Sequence, residues 1–147
     1  MKIVAAGAVL GWLAVMVFFA GIVAPAAFTS LDREAAGRFV SAVFPRYYLG
    51  GTVLGAVALA ALVARAAMGR ARLWDWLPLL LVVVMLTATL YAWLVILPAA
   101  HAAREAGRQP GSREALVFAR LHRMSAGLNG VTMIAGVLVL VVLGVRR

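Results

Sequence analysis

Cysteine is absent from this 147-residue chain, and acidic residues are scarce, with five Asp and Glu against fourteen Lys and Arg. The missing thiols exclude disulfides, thiolate metal sites and thiol redox chemistry. Charge of either sign is missing from residues 3–31, 47–64, 76–103 and 124–145. No intramembrane ion is therefore available of the kind on which proton-coupled transporters and ion pathways depend. The same runs hold no paired carboxylates, no Ser–His–Asp set and no phosphate-cradling glycine loop. The expectation is a protein that is not an enzyme, since any reaction would have to borrow its chemistry from a cofactor.

What the chain has in quantity is apolar surface: 65% of its residues are hydrophobic and its mean hydropathy is +1.03. A helix needs about 20 mostly apolar residues to cross a hydrocarbon core of about 30 Å, because lipid cannot satisfy a bare peptide group. The charge-free runs predict spans at about 3–28, 47–66, 76–98 and 122–145, forming one transmembrane domain over residues 1–147. The fold class expected is an all-α, integral membrane four-helix bundle. Lys2 and Ala24-Pro25-Ala26 imitate a signal peptide, but the first apolar run far exceeds the roughly 7–15 residues of such a segment.

The formal charge of +9 belongs to the rims of the spans and points to phospholipid headgroups, not to nucleic acid. Lys2, Arg65, Arg70, Arg72, Arg146 and Arg147 fall on one side with Asp75. Arg33, Arg38, Arg46, Arg104, Arg108, Arg113, Arg120 and Arg123 fall on the other, diluted by Asp32, Glu34, Glu105 and Glu114. The denser basic segments of the first side place both termini in the cytoplasm.

Between spans one and two, Leu31, Ala35, Phe39, Val40 and Val43 recur at helical spacing opposite Asp32, Arg33, Glu34, Arg38 and Ser41. This pattern predicts an interfacial amphipathic helix over 30–44, ended by Pro45. Gly7/Gly11 and Gly51/Gly55 have the GxxxG spacing that lets helices approach closely, serving packing within the chain or contact with a second copy or another membrane protein. Trp74, Trp76, Tyr91 and Trp93 are placed like membrane-surface anchors. Gln109-Pro110-Gly111 forms the turn into the last helix, with Ser112 as its N-cap. A faint internal repeat links Ala24-Pro25-Ala26-Ala27-Phe28 with Leu97-Pro98-Ala99-Ala100-His101.

Helical spacing puts His122, Ser125, Asn129, Thr132 and Gly136 on one stripe of span four. Thr87, Tyr91, Leu94, Pro98 and His101 form a comparable stripe on span three. Facing stripes would make a polar cleft at one rim, with Tyr47 and Tyr48 on the same side. The candidate ligand-binding residues are His101, His122, Ser125, Asn129, Tyr91 and Tyr48. His101 and His122, with the Met124 thioether, could hold copper or the iron of a haem. Equally, no cofactor need be bound: the imidazoles could exchange hydrogen bonds with headgroups, and Ser125, Asn129 and Thr132 could join helices.

Ala24-Pro25-Ala26-Ala27-Phe28, Phe44-Pro45-Arg46-Tyr47-Tyr48-Leu49-Gly50 and Leu121-His122-Arg123-Met124-Ser125-Ala126-Gly127-Leu128-Asn129 together resemble bacterial members of the transmembrane protein 205 family. The family-like positions are Pro25, Phe28, Pro45, Tyr48, His122, Ser125 and Asn129. The resemblance implies four helices, kinship with copper-resistance D-type membrane proteins, and a role in metal or toxic-compound resistance or transport. It extends more distantly to HemJ-type haem proteins, from whose pattern this chain departs by having no histidine in span one. A haem-binding redox protein and a structural subunit of a larger membrane complex are the alternatives.

Overall fold

The computed structural model describes residues 1–70, 76–107 and 112–145, and among these there is no β-strand. Four helices are each long and apolar enough to cross a membrane: α1 (Lys2–Ser30), α2 (Arg33–Met68), α3 (Trp76–Ala106) and α4 (Arg113–Val145). Consecutive helices pack as antiparallel neighbours and α1 also meets α4, so the four close into a ring. Trp74, Asp75, Arg72, Arg108, Arg146, Arg147 and the Gln109-Pro110-Gly111 turn lie outside the described residues, as does the side chain of Arg70.

The helix ends follow local hydrogen bonding. The Asp32 carboxylate accepts the Glu34 and Ala35 backbone N–H groups at 3.0 and 2.9 Å, which starts α2. The bond from Ala35 is the main cause that holds the Asp32 carboxyl below its usual range. Ser112 caps α4 by accepting the Ala115 N–H at 3.2 Å.

No separate interfacial helix exists over 30–44. Arg33–Arg65 is one continuous α-helix with Pro45 inside it, and the expected break does not occur. The inward face is Ala36, Val40 and Tyr48, while Leu31 and Phe39, assigned from the sequence to the apolar side, are exposed. Pro45 is itself exposed, so its ring projects from the outside of the bundle. The next residue helps its own turn, Arg46 donating to the Ala42 carbonyl at 3.2 Å.

Pro25 and Pro98 act differently. Each follows a five-residue wide turn of π-helix, Phe19–Val23 in α1 and Ala92–Ile96 in α3. Proline lacks an N–H and crowds the carbonyl four residues earlier. Those carbonyls belong to Gly21 and Leu94, the middle residues of the two wide turns. Widening the helix there moves each carbonyl out of the ring's path. The repeat seen in the sequence is thus matched by the same local device in the first helix of each hairpin.

The main core fills the half of the bundle nearer the termini, where Ala5, Val9, Trp12, Ala58, Val82, Met85, Ala135 and Val139 are buried together. Its tightest contacts use glycines. A Cβ at Gly51 would lie within about 3 Å of the Trp12 indole. One at Gly55 would meet Trp12 and Leu86, and one at Gly136 would meet Leu13 and Met85. The Gly51/Gly55 pair is therefore filled by this chain's own side chains and is closed to a second copy. A Cβ at Gly11 would meet Leu54 of α2 at an ordinary contact distance, whereas Gly7 is exposed with open space where a Cβ would stand. Gly51→Leu or Gly55→Leu should destabilise the bundle by about 1–3 kcal/mol through overpacking, while Gly7→Leu should change little. Unfolding of the purified variants in mixed detergent micelles checks this difference.

Candidate functional site

The helices do not stay equally close along their length. Packing of α1 on α4 is carried by Lys2–Phe18, and packing of α2 on α3 by Trp76–Tyr91. Beyond the wide turns each hairpin keeps its internal contacts, α1 with α2 and α3 with α4, while the two hairpins separate. The space between them is a cleft of about 550 Å³ lined by all four helices. Phe19, Phe28, Phe44, Ile96, Leu97 and Met133 make much of it apolar.

Its polar groups sit in two tiers. The inner tier crosses the ring from α2 to α4: Tyr47 Oη donates to Asn129 Oδ1 at 3.1 Å, and the Tyr48 hydroxyl pairs with Ser125 Oγ at 3.0 Å. Tyr48 is 1% exposed, so its ring is part of the bundle wall as well as a hydrogen-bonding arm. Phe19, Phe44, Tyr47 and Tyr48 pack as a cluster with ring centroids 5.0 to 6.2 Å apart. A long phenol suits this task because only its tip is polar, and that tip reaches a partner across an apolar gap.

The outer tier contains His101, Arg104 and His122. Arg104 extends from α3 to α2, donating from Nη1 to Ser41 Oγ at 3.0 Å and from Nη2 to the Glu34 carbonyl at 3.3 Å. It lies over Gly37, where any Cβ would collide with the guanidinium. His101 Nε2 is shut off from solvent and has no hydrogen-bond partner. His122 is exposed and stacks on Phe118 one helical turn away, with centroids 6.2 Å apart.

The structure brings His101, His122, Ser125, Asn129 and Tyr48 to one cleft and leaves Tyr91 out of it. Thr87, Tyr91, Leu94 and Pro98 are all exposed, so of the polar stripe expected on span three His101 alone lines the cleft. The inward face of α3 is Met85, Ala88, Thr89, Ala92, Ile96 and Ala100, rich in small residues that allow close helix approach. Met124 is 40% exposed and absent from the cleft wall, which removes the thioether from the expected metal set. Among the described residues no three His, Cys, Asp or Glu side chains come together as a metal site. The two histidines alone do not make the ligand set of a copper centre.

Arg104 was not among the sequence candidates, having been grouped with the rim charges. The available signal was its spacing of three from His101, which puts both on one helical face. Its dependence on Gly37, 67 positions earlier, is a property of the fold.

A family profile described as a domain of unknown function, DUF4149, matches residues 5–109. The match covers α1, α2 and α3 and stops before α4, which supplies Ser125 and Asn129. No curated protein and no solved structure matches the chain.

The Tyr48–Ser125 bond should contribute a coupling of about 0.6 kcal/mol, the average for hydrogen bonds between membrane helices. A double-mutant cycle with Tyr48→Phe and Ser125→Ala, followed by unfolding in detergent, measures it. Tyr47→Phe with Asn129→Ala should give a similar value.

Proposed function

The chain belongs to the DUF4149 family, a domain of unknown function, and we propose that it is a non-enzymatic bacterial inner-membrane protein of resistance or transport character. Its cleft binds a small, mainly apolar molecule bearing a polar end. The observation that carries this reading is the composition of the cleft: an aromatic and aliphatic chamber closed on one side by the tyrosine pairs and fringed on the other by imidazole and guanidinium groups. A volume of about 550 Å³ lies within the range of about 300–1,000 Å³ over which pockets enclose small molecules.

The resemblance to the transmembrane protein 205 family supports the same place. Of its seven positions, Phe28, Tyr48, His122, Ser125 and Asn129 line the cleft. Toxic organic compounds fit the lining better than metal ions do, because the donors present are few and the walls are apolar. A haem has two imidazoles to choose from, but the exposed, Phe118-stacked ring of His122 gives no support to paired axial ligation.

Gly130 lines the cleft with open space where a Cβ would stand, so Gly130→Leu should fill the chamber without disturbing the packing of the helices. Photolabelling of the membrane-embedded protein with an apolar diazirine probe, mapped by mass spectrometry, provides the test. Labelling is expected at Phe19, Phe44 and Met133, with loss of those sites in Gly130→Leu and retention of labelling on outward-facing residues such as Leu80 and Ile134. Cells producing the parent protein should tolerate a lipophilic biocide better than cells producing Gly130→Leu. Absence of cleft labelling in the parent would remove the basis of the reading.

A further inference from the structure

We infer that Arg104 and His101 form a subsite for an anionic oxygen headgroup, which makes the ligand of the cleft a single-chain amphiphile with a phosphate or carboxylate end. The inference rests on the reading of the cleft as a binding chamber and adds the chemistry of the head. Two independent observations meet at this point. The first is the placement of Arg104. Its guanidinium is held across the gap between the hairpins by a serine hydroxyl and a main-chain carbonyl, both uncharged, and it borders both the apolar cleft and a second groove at the rim. Only two of the five N–H donors of a guanidinium are used in these bonds.

Carboxylates are present nearby, but among the described residues none pairs with Arg104. Glu34, whose carbonyl accepts from Arg104, gives its carboxylate to Arg38 at 2.7 Å. Glu105 lines the outer groove and is exposed, and among the described residues no carboxylate forms an ion pair with Arg104. A fixed cation beside an apolar chamber, with N–H groups to spare, is arranged for a planar or tetrahedral oxyanion, which a guanidinium fork binds with two parallel hydrogen bonds.

The second observation is the orphaned Nε2 of His101. A buried polar atom without a partner costs free energy, so its presence in the wall of a chamber marks a place where something else completes the bond. One turn of α3 separates His101 from Arg104, and both border the cleft and the groove. With hydrogen on Nε2, a turn of the His101 side chain that opens this covered atom to the chamber supplies a second donor beside the guanidinium. The tail of such a ligand then lies along Phe19, Phe44 and Ile96, in the apolar part of the cleft. Gly37 is the positioning residue, because any side chain there displaces the guanidinium while leaving its charge intact.

Binding to the full-length protein in uncharged detergent, read by native mass spectrometry, tests the subsite. The probes are a lysophosphatidic acid, the monoacylglycerol with the same acyl chain, and inorganic phosphate. The parent should bind the anionic lipid about tenfold more tightly than the neutral one, the size of effect expected from one charge-assisted hydrogen bond. Arg104→Gln should abolish that preference, bringing the two lipids to equal affinity, and its unfolding profile in detergent shows that the variant is folded. Gly37→Leu should lose most of the preference with the charge still present, and His101→Phe should lose part of it.

Equal affinity for the two lipids in the parent, or a preference that survives Arg104→Gln, would overturn the subsite and leave the binding chamber standing. Failure of both lipids to bind would overturn the chamber itself. Phosphate competing as strongly as the lysophospholipid would show a site for a free anion and overturn the assignment of an amphiphile.

Discussion

The bundle depends on close contact between helices at glycine positions. Lipid tails are as apolar as leucine, so burying hydrocarbon between spans gains little, and association must come from dispersion contacts and shape. Trp12 lies in the notch made by Gly51 and Gly55, and Leu13 and Met85 lie in the one made by Gly136. These contacts tie all four helices together in the half nearer the termini. At the other end the close glycine contact is a polar one, Gly37 beneath the Arg104 guanidinium, and beyond Phe18 and Tyr91 the inward apolar surface no longer draws the hairpins together.

The consequence is a division of labour along the membrane normal. One half is a packed core of small and branched side chains, and the other holds a chamber whose opposite walls are joined by long polar arms. Tyr47 and Tyr48 reach Asn129 and Ser125, while Arg104 reaches Ser41 and the Glu34 carbonyl. Such arms fix the spacing of the walls without filling the space between them, which is how a small membrane protein can keep a cavity without collapsing it.

Legibility in the sequence varied with the physical origin of each feature. The four spans were evident because charge is excluded from lipid, and the long uncharged runs record that exclusion directly. The cleft face of α4 is legible because His122, Ser125 and Asn129 recur at helical spacing in a largely apolar segment. The face of α3 was misjudged by the same logic, since Thr87 and Tyr91 are exposed while Ala88, Ala92 and Ala100 point inward. In a membrane the outside is as apolar as the inside, so hydrophobicity cannot tell the two faces apart and residue size is the better guide. Proline in a sequence signals a helix break, yet α2 runs through Pro45, whose ring projects from the exposed face and so meets no neighbouring helix. Arg104 was hidden for another reason: its significance comes from a glycine on a different helix.

The paired wide turns at Phe19–Val23 and Ala92–Ile96 carry an implication for how the two hairpins have been shaped. A π turn is an α-helix that accommodates one surplus residue, and each residue of an α-helix turns the chain by about 100°. Removing a single position from 92–96 would restore regular winding and swing His101 and Arg104 a quarter-turn or more around the helix axis, away from Gly37 and Ser41. Which side chains look into the chamber is therefore governed by residue count as much as by residue identity, and an insertion or deletion in these two short stretches is a direct route by which related chains could acquire a differently furnished interior.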